Sequence, residues 1–379
     1  MTEMLVIVGI TTLLAWANGA NDVSKGIATL VGSGVTSYRR AIVWGTVWTG
    51  AGAAVASLVA GAMLTTFGSG LWTDGVTLSL AAAVAALAGA GAWVLIATHT
   101  SLPVSTTHAL VGGVVGAGVA AYGSAGVAWS ALGGKVVLPL LLSPLVAVVL
   151  ARLVARVIAS GGADEEGAAD CVCLTVEQPA AIAVGAGSAA FLTGAAPSVS
   201  VVIGHAASCP AARPRTARLT ANHLHWLSSG AVSFARGMND APKIVGLALA
   251  AAAIGVASPA VGLAPLFAFV TCGMIAGSVL AGRAVTRVLA EDVTPMNHRE
   301  GLAANLVTAV LVTTGAVHGM PMSTTHVSSS GIAGIGSRRG TLNWTTVRGV
   351  GLAWVITLPA AGVLGAVAYA VARFAGLSG

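Results

Sequence analysis

The chain has 379 residues, of which 56% are hydrophobic and 8% are charged, and its formal net charge is +6. A soluble domain carries about 25% charged residues, so the composition excludes an ordinary soluble protein and predicts that lipid surrounds most of the chain. The positive charge does not indicate a nucleic-acid partner, because most arginines lie in short loops between apolar segments. We therefore predict a multi-pass protein of the cytoplasmic membrane that contacts lipid and binds no nucleic acid.

Several apolar segments are long enough to cross a bilayer, which takes about 20 residues per helix. The N-terminal stretch Met4–Ala17 has no basic region before it, and we interpret it as part of the folded protein rather than as a signal peptide. Glycine occurs 50 times, and small residues let helices pack closely in lipid. This pattern predicts an all-α polytopic membrane protein. Further predicted spans are Ile42–Leu64, Val76–Ala97, Val136–Val157, Ala260–Ala281 and Val347–Val371.

Two motifs occur twice in the chain at the same spacing. GANDVSK at Gly19–Lys25 recurs as GMNDAPK at Gly237–Lys243, and PVSTTH at Pro103–His108 recurs as PMSTTH at Pro321–His326, each 218 positions later. Two motifs that repeat at one shared offset indicate a duplicated half. We expect one membrane repeat at 1–159, a second at 215–379, and an insert at 160–214 between them.

The arginines of the two halves are distributed in opposite ways. Arg39 and Arg40 correspond to uncharged residues at 257 and 258, and Arg338 and Arg339 correspond to uncharged residues at 120 and 121. Basic loops face the cytoplasm, so equivalent loops are expected on opposite sides of the membrane. This predicts two inverted-topology repeats with broken helices and helical hairpins, a common construction of secondary transporters.

The insert at 160–214 is predicted to be cytoplasmic. The topology requires an even number of crossings between Arg156 and Arg213, so a single span there would not fit, and short strands are the alternative. The four cysteines do not have the spacing of a zinc site, so no metal site is predicted in this loop. The insert is expected to have no part in the membrane chemistry.

Four charged residues lie well inside apolar segments: Asp22 and Lys25 in the first half, and Asp240 and Lys243 at the equivalent positions of the second. A charge near the bilayer centre costs about 2.5–3.5 kcal/mol, so such groups usually serve function. Intrahelical ion pairing or snorkelling of the lysines is the structural alternative. Asn-Asp sequences are also poor in helix interiors, which predicts helix breaks at Asn18–Asp22 and at Arg236–Asp240.

The two STTH sequences are expected to start new half-helices. Pro103 and Pro321 end the preceding helix, and Ser and Thr are good N-caps, so helices should begin near Thr106–His108 and Thr324–His326. The free amides and the positive dipole of such an end favour an anion, although the hydroxyls could serve for capping alone. We interpret His108 and His326 as packed or capping residues rather than as proton relays.

In this order, the four motifs resemble the signatures of the PiT inorganic phosphate transporters, over roughly 1–157 and 219–373. The resemblance implies a homodimeric symporter that imports phosphate with a cation, usually sodium, and has no enzymatic activity and no resident cofactor. Cation ligands implied by the match are Asn21, Asp22, Asn239 and Asp240, with Na⁺ at the two aspartates. Phosphate-binding residues are predicted to be Ser105, Thr106, Thr107, Ser323, Thr324, Thr325, Lys25 and Lys243.

One position departs from this pattern, since the family's first motif usually carries a second Asn where this chain has Lys25. A fixed ammonium beside a cation site can substitute for a bound ion, so coupling to H⁺ instead of Na⁺, and transport of a metal–phosphate complex, stay open. Another oxyanion such as sulfate is the main rival substrate. An intramembrane Ser–His enzyme is disfavoured because no oriented third group is evident, and a channel is disfavoured by the inverted repeats.

Overall fold

The computed structural model describes residues 2–159, 171–177, 198–204, 216–255 and 262–377. Within these ranges, seven helices are long and apolar enough to cross a membrane. The predicted all-α polytopic class is therefore confirmed for the membrane part of the chain, to which the structure adds one small sheet.

The helices of the first half are α1 (Thr2–Asp22), α2 (Ser24–Gly32), α3 (Tyr38–Val59), α4 (Gly61–Gly68), α5 (Leu80–His99), α6 (Thr106–Tyr122), α7 (Trp129–Ala131) and α8 (Leu138–Ala159), with a 3-10 turn at Ser124–Gly126 and a π-helical turn at Leu132–Val137. Those of the second half are α9 (Ala221–Gly255), α10 (Leu263–Ala281), α11 (Arg283–Arg287), α12 (His298–Val317), α13 (Thr324–Arg339) and α14 (Trp344–Phe374), with a π-helical turn at Val288–Asp292.

Two of the predicted spans differ from the helices that form. The span predicted at Val76–Ala97 begins only at Leu80, because the Ser79 side chain accepts a hydrogen bond from the Ala82 amide and caps the helix there. The span predicted at Ile42–Leu64 is divided at Ala60 into α3 and α4. The other predicted spans lie mainly in α8, α10 and α14.

The insert contains strands, as the sequence predicts. Strands β1 (Cys171–Glu177), β2 (Ser198–Gly204) and β3 (Thr216–Thr220) form an antiparallel sheet in the order β2-β1-β3. The third strand begins beyond the boundary expected at 214 and leads directly into α9. The predictions for the remaining positions between 160 and 215 lie outside the described residues.

Two helical hairpins are formed, one in each half. The Ser79 amide donates to Tyr122 Oη (2.6 Å), so the start of α5 lies beside the end of α6. In the second half, Arg339 Nη1 donates to Glu300 Oε2 (2.9 Å), so the start of α12 lies beside the end of α13. In each hairpin the chain enters and leaves at the same end, and the turn between the two helices forms a tip.

The two hairpin tips meet inside the protein. Thr107 Oγ1, at the start of α6, donates to the Met322 carbonyl (3.1 Å). Reciprocally, Thr325 Oγ1, at the start of α13, donates to the Val104 carbonyl (2.6 Å). The donor and acceptor of the first bond are each 218 positions from the donor and acceptor of the second, in opposite halves of the chain. The local arrangement is therefore close to two-fold symmetric.

From their meeting point, α6 and α13 run to opposite ends of the protein. The helical segment Trp129–Ile158 contains 30 residues and is about 45 Å long. At its start, Trp129 Nε1 donates to the Ser124 carbonyl (2.8 Å) just after α6, and near its end Arg152 Nη1 donates to Ser337 Oγ (3.3 Å) in α13. Hairpins that enter from opposite ends are the arrangement expected of inverted repeats, whose membrane sidedness stays a prediction.

Glycines of the repeated motifs allow two close helix contacts. A Cβ on Gly19 would collide with the Met274 carbonyl of α10, and a Cβ on Gly237 would collide with the Thr49 carbonyl of α3. The two halves therefore pack against each other through these helices. Helix α1 of the first half packs on α10 of the second, and α9 of the second half packs on α3 of the first. These contacts hold the motif residues that follow each glycine against the partner half.

Gly237→Ala is expected to lower the thermal stability of the purified protein. The added methyl group has no space, and overpacking typically costs about 1–3 kcal/mol. Gly349→Ala in α14 is the matched control, because a Cβ there meets nothing within 4 Å. Melting curves in detergent should show a lower Tm for the first variant and not for the second. Equal melting temperatures would contradict the close contact.

Candidate substrate and cation site

Five charged side chains are buried together next to the hairpin tips. They belong to α1, α2 and α9, and none is more than 2% exposed. With three cations and two anions, their formal net charge is +1. We call this set the central charge cluster, and it consists of Asp22, Lys25, Arg236, Asp240 and Lys243.

Lys25 is bound by oxygens of its own motif. Its Nζ donates to the Asn21 carbonyl (2.7 Å), to Asn21 Oδ1 (2.8 Å) and to Asp22 Oδ1 (2.8 Å). All three donor positions of the ammonium are therefore filled, and the side chain is fully buried. The snorkelling alternative is wrong for this lysine, because its head group points into the protein and is shielded from solvent.

Lys243 is bound by oxygens from three separate parts of the chain. Its Nζ donates to Thr107 Oγ1 (2.7 Å), to the Met322 carbonyl (2.9 Å) and to Asp240 Oδ1 (3.3 Å). Thr107 belongs to the first hairpin and Met322 to the tip of the second. The two lysines are thus equivalent in sequence, but only Lys243 depends on both hairpins.

The helix breaks expected in the repeated motifs are much weaker than predicted. In the first half the interruption is a single residue, Val23, whose dihedral angles stay helical (φ −58°, ψ −32°). It lies one residue beyond the predicted break. The Asn21 carbonyl beside it accepts hydrogen bonds from Ser24 Oγ (2.8 Å) as well as from Lys25, so the site still uses a main-chain oxygen.

The break predicted at Arg236–Asp240 is wrong, because α9 continues through these residues. The reason is that the polar side chains bind to another segment and to each other rather than to their own backbone. Asn239 Nδ2 donates to the Met322 carbonyl (2.9 Å) and to Asp240 Oδ1 (2.9 Å). Competition with the helix backbone, on which the prediction rested, is thereby removed.

Asn18 joins the two aspartates, although the sequence analysis assigned it no ligand role. Its Nδ2 lies within hydrogen-bonding distance of Asp22 Oδ2 (3.1 Å), Thr106 Oγ1 (3.1 Å) and Asp240 Oδ2 (3.3 Å). Its own side-chain oxygen accepts from Arg236 Nη2 (3.4 Å). The only sequence signal for this role is that Asn18 and Arg236 are also 218 positions apart, directly before the repeated glycines.

Arg236 is the second residue that the sequence analysis did not assign. Its guanidinium is 1% exposed, yet every one of its contacts is long. Besides Asn18, it reaches Thr49 Oγ1 at 3.4 Å through Nη1 and Asp240 Oδ2 at 3.9 Å through Nε. Its Nε has no hydrogen-bond partner. The guanidinium therefore keeps unused capacity to donate.

The two STTH sequences begin helices where predicted. Ser105 Oγ accepts from the His108 amide (3.2 Å), and Ser323 Oγ accepts from the His326 amide (3.1 Å), so both serines act as N-caps. Thr106 Oγ1 donates to Asp22 Oδ2 (3.1 Å). The amides of the first two residues of each helix have no such partner, so they are available to an anion.

The predicted site residues therefore converge from both halves. The two capping serines differ from the other predicted ligands, because their hydroxyl oxygens already accept main-chain hydrogen bonds. Asn21 holds the first hairpin tip, since its Nδ2 donates to the Leu102 carbonyl (2.9 Å) and to Thr98 Oγ1 (3.1 Å). Whether these residues bind phosphate or a cation stays a prediction.

His108 and His326 pack against each other behind the two helix starts, with ring centroids 4.5 Å apart. The His326 ring also packs on Trp354, at 4.0 Å. All three side chains line a largely apolar cavity of about 410 Å³ between α8 and α14. This geometry agrees with the interpretation of both histidines as packed residues.

Comparison with known proteins gives the family. The sequence profile of the phosphate transporter family matches residues 18–365. The chain belongs to the phosphate transporter family. This confirms the resemblance drawn from the four motifs, and it places the chain in a family of membrane transport proteins rather than of enzymes.

Individual relatives are similar along nearly the whole chain. A probable low-affinity inorganic phosphate transporter of Mycobacterium leprae is 28% identical and covers 98% of this chain and 79% of its own length. A putative phosphate permease of Pyrococcus furiosus is 28% identical over 97% of this chain and 95% of its own length. The chloroplastic inorganic phosphate transporter 2-1 of Arabidopsis thaliana is 27% identical, over 93% and 69%.

A solved structure described as a sodium-dependent phosphate transporter has the same fold. It aligns with a TM-score of 0.76 over 99% of this chain and 100% of its own, at 21% identity. At this identity the comparison shows the architecture and says nothing about ligands. The chain is thus a multi-pass membrane protein of the phosphate transporter family.

Proposed function

We propose that this protein imports inorganic phosphate across the cytoplasmic membrane and binds it beside the central charge cluster, with Na⁺ or H⁺ as the coupling ion. The observation that carries the proposal is the meeting of two helix N-termini, those of α6 and α13, at a buried cluster with a net charge of +1. Free amides, hydroxyls and positive charge converge there, and these are the donors that suit a compact oxyanion.

The hairpins give this site a route to both sides. One hairpin enters from each end of the protein, and their tips touch at the cluster. Movement of either tip would open the site towards one end while the other tip keeps it closed, which is the alternating access of secondary transporters. Lys243, which binds to both tips, would lose contacts with a tip when they separate and would keep its contact with Asp240.

Phosphate is favoured over sulfate by one proton. Phosphate near neutral pH carries one or two protons and can donate a hydrogen bond, and the carboxylates of Asp22 and Asp240 are acceptors in the same cluster, whereas sulfate has no proton to donate. Beside these carboxylates an oxyanion without a proton would place acceptor against acceptor, which disfavours sulfate relative to phosphate. The relatives described as phosphate transporters support the same choice.

Uptake of labelled phosphate into proteoliposomes tests the proposal. We expect uptake above that of protein-free vesicles, and inhibition by unlabelled phosphate far more than by sulfate. Parallel vesicles with an imposed sodium gradient, an imposed proton gradient or neither identify the coupling ion, and a chelator of divalent cations tests for a metal–phosphate substrate. No uptake, or stronger competition by sulfate, would overturn the assignment.

The inverted topology makes a separate prediction about accessibility. Single cysteines at positions 121 and 257, in a variant without native cysteines, should react with an impermeant maleimide added to intact cells. Cysteines at positions 39 and 338 should react only after permeabilisation, since basic loops face the cytoplasm. Labelling of 39 and 257 from the same side would show that the repeats are not inverted.

A further inference from the structure

Both motif lysines place their Nζ atoms where a small cation would bind. Hard cations in proteins are bound by main-chain carbonyl, amide and carboxylate oxygens. The three oxygens around Lys25 Nζ are of these three kinds, at 2.7–2.8 Å. Lys243 Nζ is likewise surrounded by a hydroxyl, a carbonyl and a carboxylate oxygen.

We propose that the ammonium groups of Lys25 and Lys243 occupy the two cation positions permanently, and that Arg236 supplies the further positive charge that draws a monovalent phosphate into the site, so that uptake needs no sodium. This inference rests on the proposed function. It concerns which charges accompany phosphate, and it assigns Arg236 a role in binding.

A tethered ammonium differs from a bound ion in what it can do during transport. A sodium ion enters on one side and leaves on the other, so its gradient drives the substrate. A lysine ammonium neutralises Asp22 in the same way but never leaves the protein. For sodium to bind at these oxygens it would first have to displace Lys25 from three short hydrogen bonds and leave a buried ammonium unpaired, which is strongly unfavourable.

The charge count then determines the form of the anion. Each lysine compensates one aspartate, so Arg236 is the remaining cation of the central charge cluster. A monovalent anion, dihydrogen phosphate, brings the total to zero, whereas a divalent anion would leave a buried negative charge. Arg236 suits the task geometrically, since its contacts are 3.4 Å or longer and its Nε has no hydrogen-bond partner.

The sodium response of uptake tests the first part. With the wild-type protein, replacing sodium by choline should leave the initial rate of phosphate uptake unchanged within twofold. Lys25→Asn removes the tethered charge and supplies an amide oxygen, so uptake by this variant should fall in choline and rise at least tenfold when sodium is restored. Lys135→Asn is the matched control, because Lys135 is exposed and lies away from the cluster.

The outcomes separate this inference from the proposed function. A wild-type rate that falls tenfold or more in choline overturns the tethered-cation assignment while phosphate transport stands. A Lys25→Asn variant that transports equally with and without sodium also overturns it. If that variant does not transport, the wild-type sodium response decides the question, and an absence of phosphate uptake by the wild type overturns the proposed function itself.

Variants of Arg236 test the second part. Arg236→Gln should raise the KM for phosphate at least tenfold, and Arg236→Lys should restore much of the loss because it restores the charge. Neither should create a sodium requirement. Arg287→Gln serves as the control, since Arg287 is 73% exposed. An unchanged KM in Arg236→Gln, or equal KM values for the Gln and Lys variants, would exclude Arg236 as the charge that attracts phosphate.

Discussion

Asp22→Asn and Asp240→Asn should each reduce phosphate transport to the background of protein-free vesicles. Each aspartate binds a lysine ammonium through Oδ1 and the Asn18 amide through Oδ2. Neutralising either one raises the net charge of the central charge cluster from +1 to +2 and leaves a buried lysine without its carboxylate. Breaking a buried pair in this way typically costs about 3–5 kcal/mol. When this cost falls on the transporting conformation, it corresponds to a more than hundredfold fall in the rate of phosphate transport.

The control for this pair is Asp74→Asn, since Asp74 is exposed in the loop before α5. Size-exclusion profiles of the purified variants check that each protein is folded. Initial rates of labelled phosphate uptake at saturating phosphate then give the result. A folded Asp22→Asn or Asp240→Asn protein that transports at the wild-type rate would show that the carboxylate is not needed, and that the cluster is not the transport site.

Asn18→Ala should weaken transport nearly as much, although the side chain is uncharged. Its amide lies between Asp22 and Asp240, and its oxygen accepts from Arg236. Without it, the Oδ2 atoms of both carboxylates lose a donor and no longer share one. A hydrogen bond to a charged group contributes about 1.5–3 kcal/mol, so we expect a 10- to 100-fold fall in kcat/KM for phosphate.

Asn343→Ala is the matched control for Asn18→Ala. Asn343 also forms side-chain hydrogen bonds, but its Oδ1 accepts from main-chain amides that begin α14, and the residue is exposed. Its loss should cost about 1 kcal/mol of stability and leave uptake unchanged. If the two alanine variants reduce uptake equally, the effect of Asn18→Ala is a general loss of stability rather than a change in the site.

The two halves of the site have similar sequences but different dependence on the hairpins. Lys25 takes all its oxygens from the motif that contains it, so its contacts survive when a hairpin tip moves. Lys243 takes two of its three from Thr107 and Met322, which belong to the tips of different hairpins. The contacts of Lys243 therefore change when the hairpin tips close or separate, whereas those of Lys25 stay the same.

Much of the architecture follows from the sequence by local rules. Length and hydropathy predict most of the spans, and the shared offset of 218 positions predicts the pairing of the motifs. Ser105 and Ser323 cap the helices that follow them because an N-cap depends on neighbours three residues away. The burial of the lysines and aspartates is likewise implied by their positions in apolar segments.

The tertiary structure decided what these residues bind. Helix α9 continues through Asn239 and Asp240 because Asn239 binds the Met322 carbonyl, which is 83 positions away in the chain. Helix propensities of neighbouring residues carry no information about such a contact. The role of Asn18 depends on Asp240, 222 positions away, and that of Arg236 on Thr49 in another helix. A polar side chain in lipid must find partners wherever the fold supplies them, so its neighbours are set by packing rather than by the residues beside it in the chain.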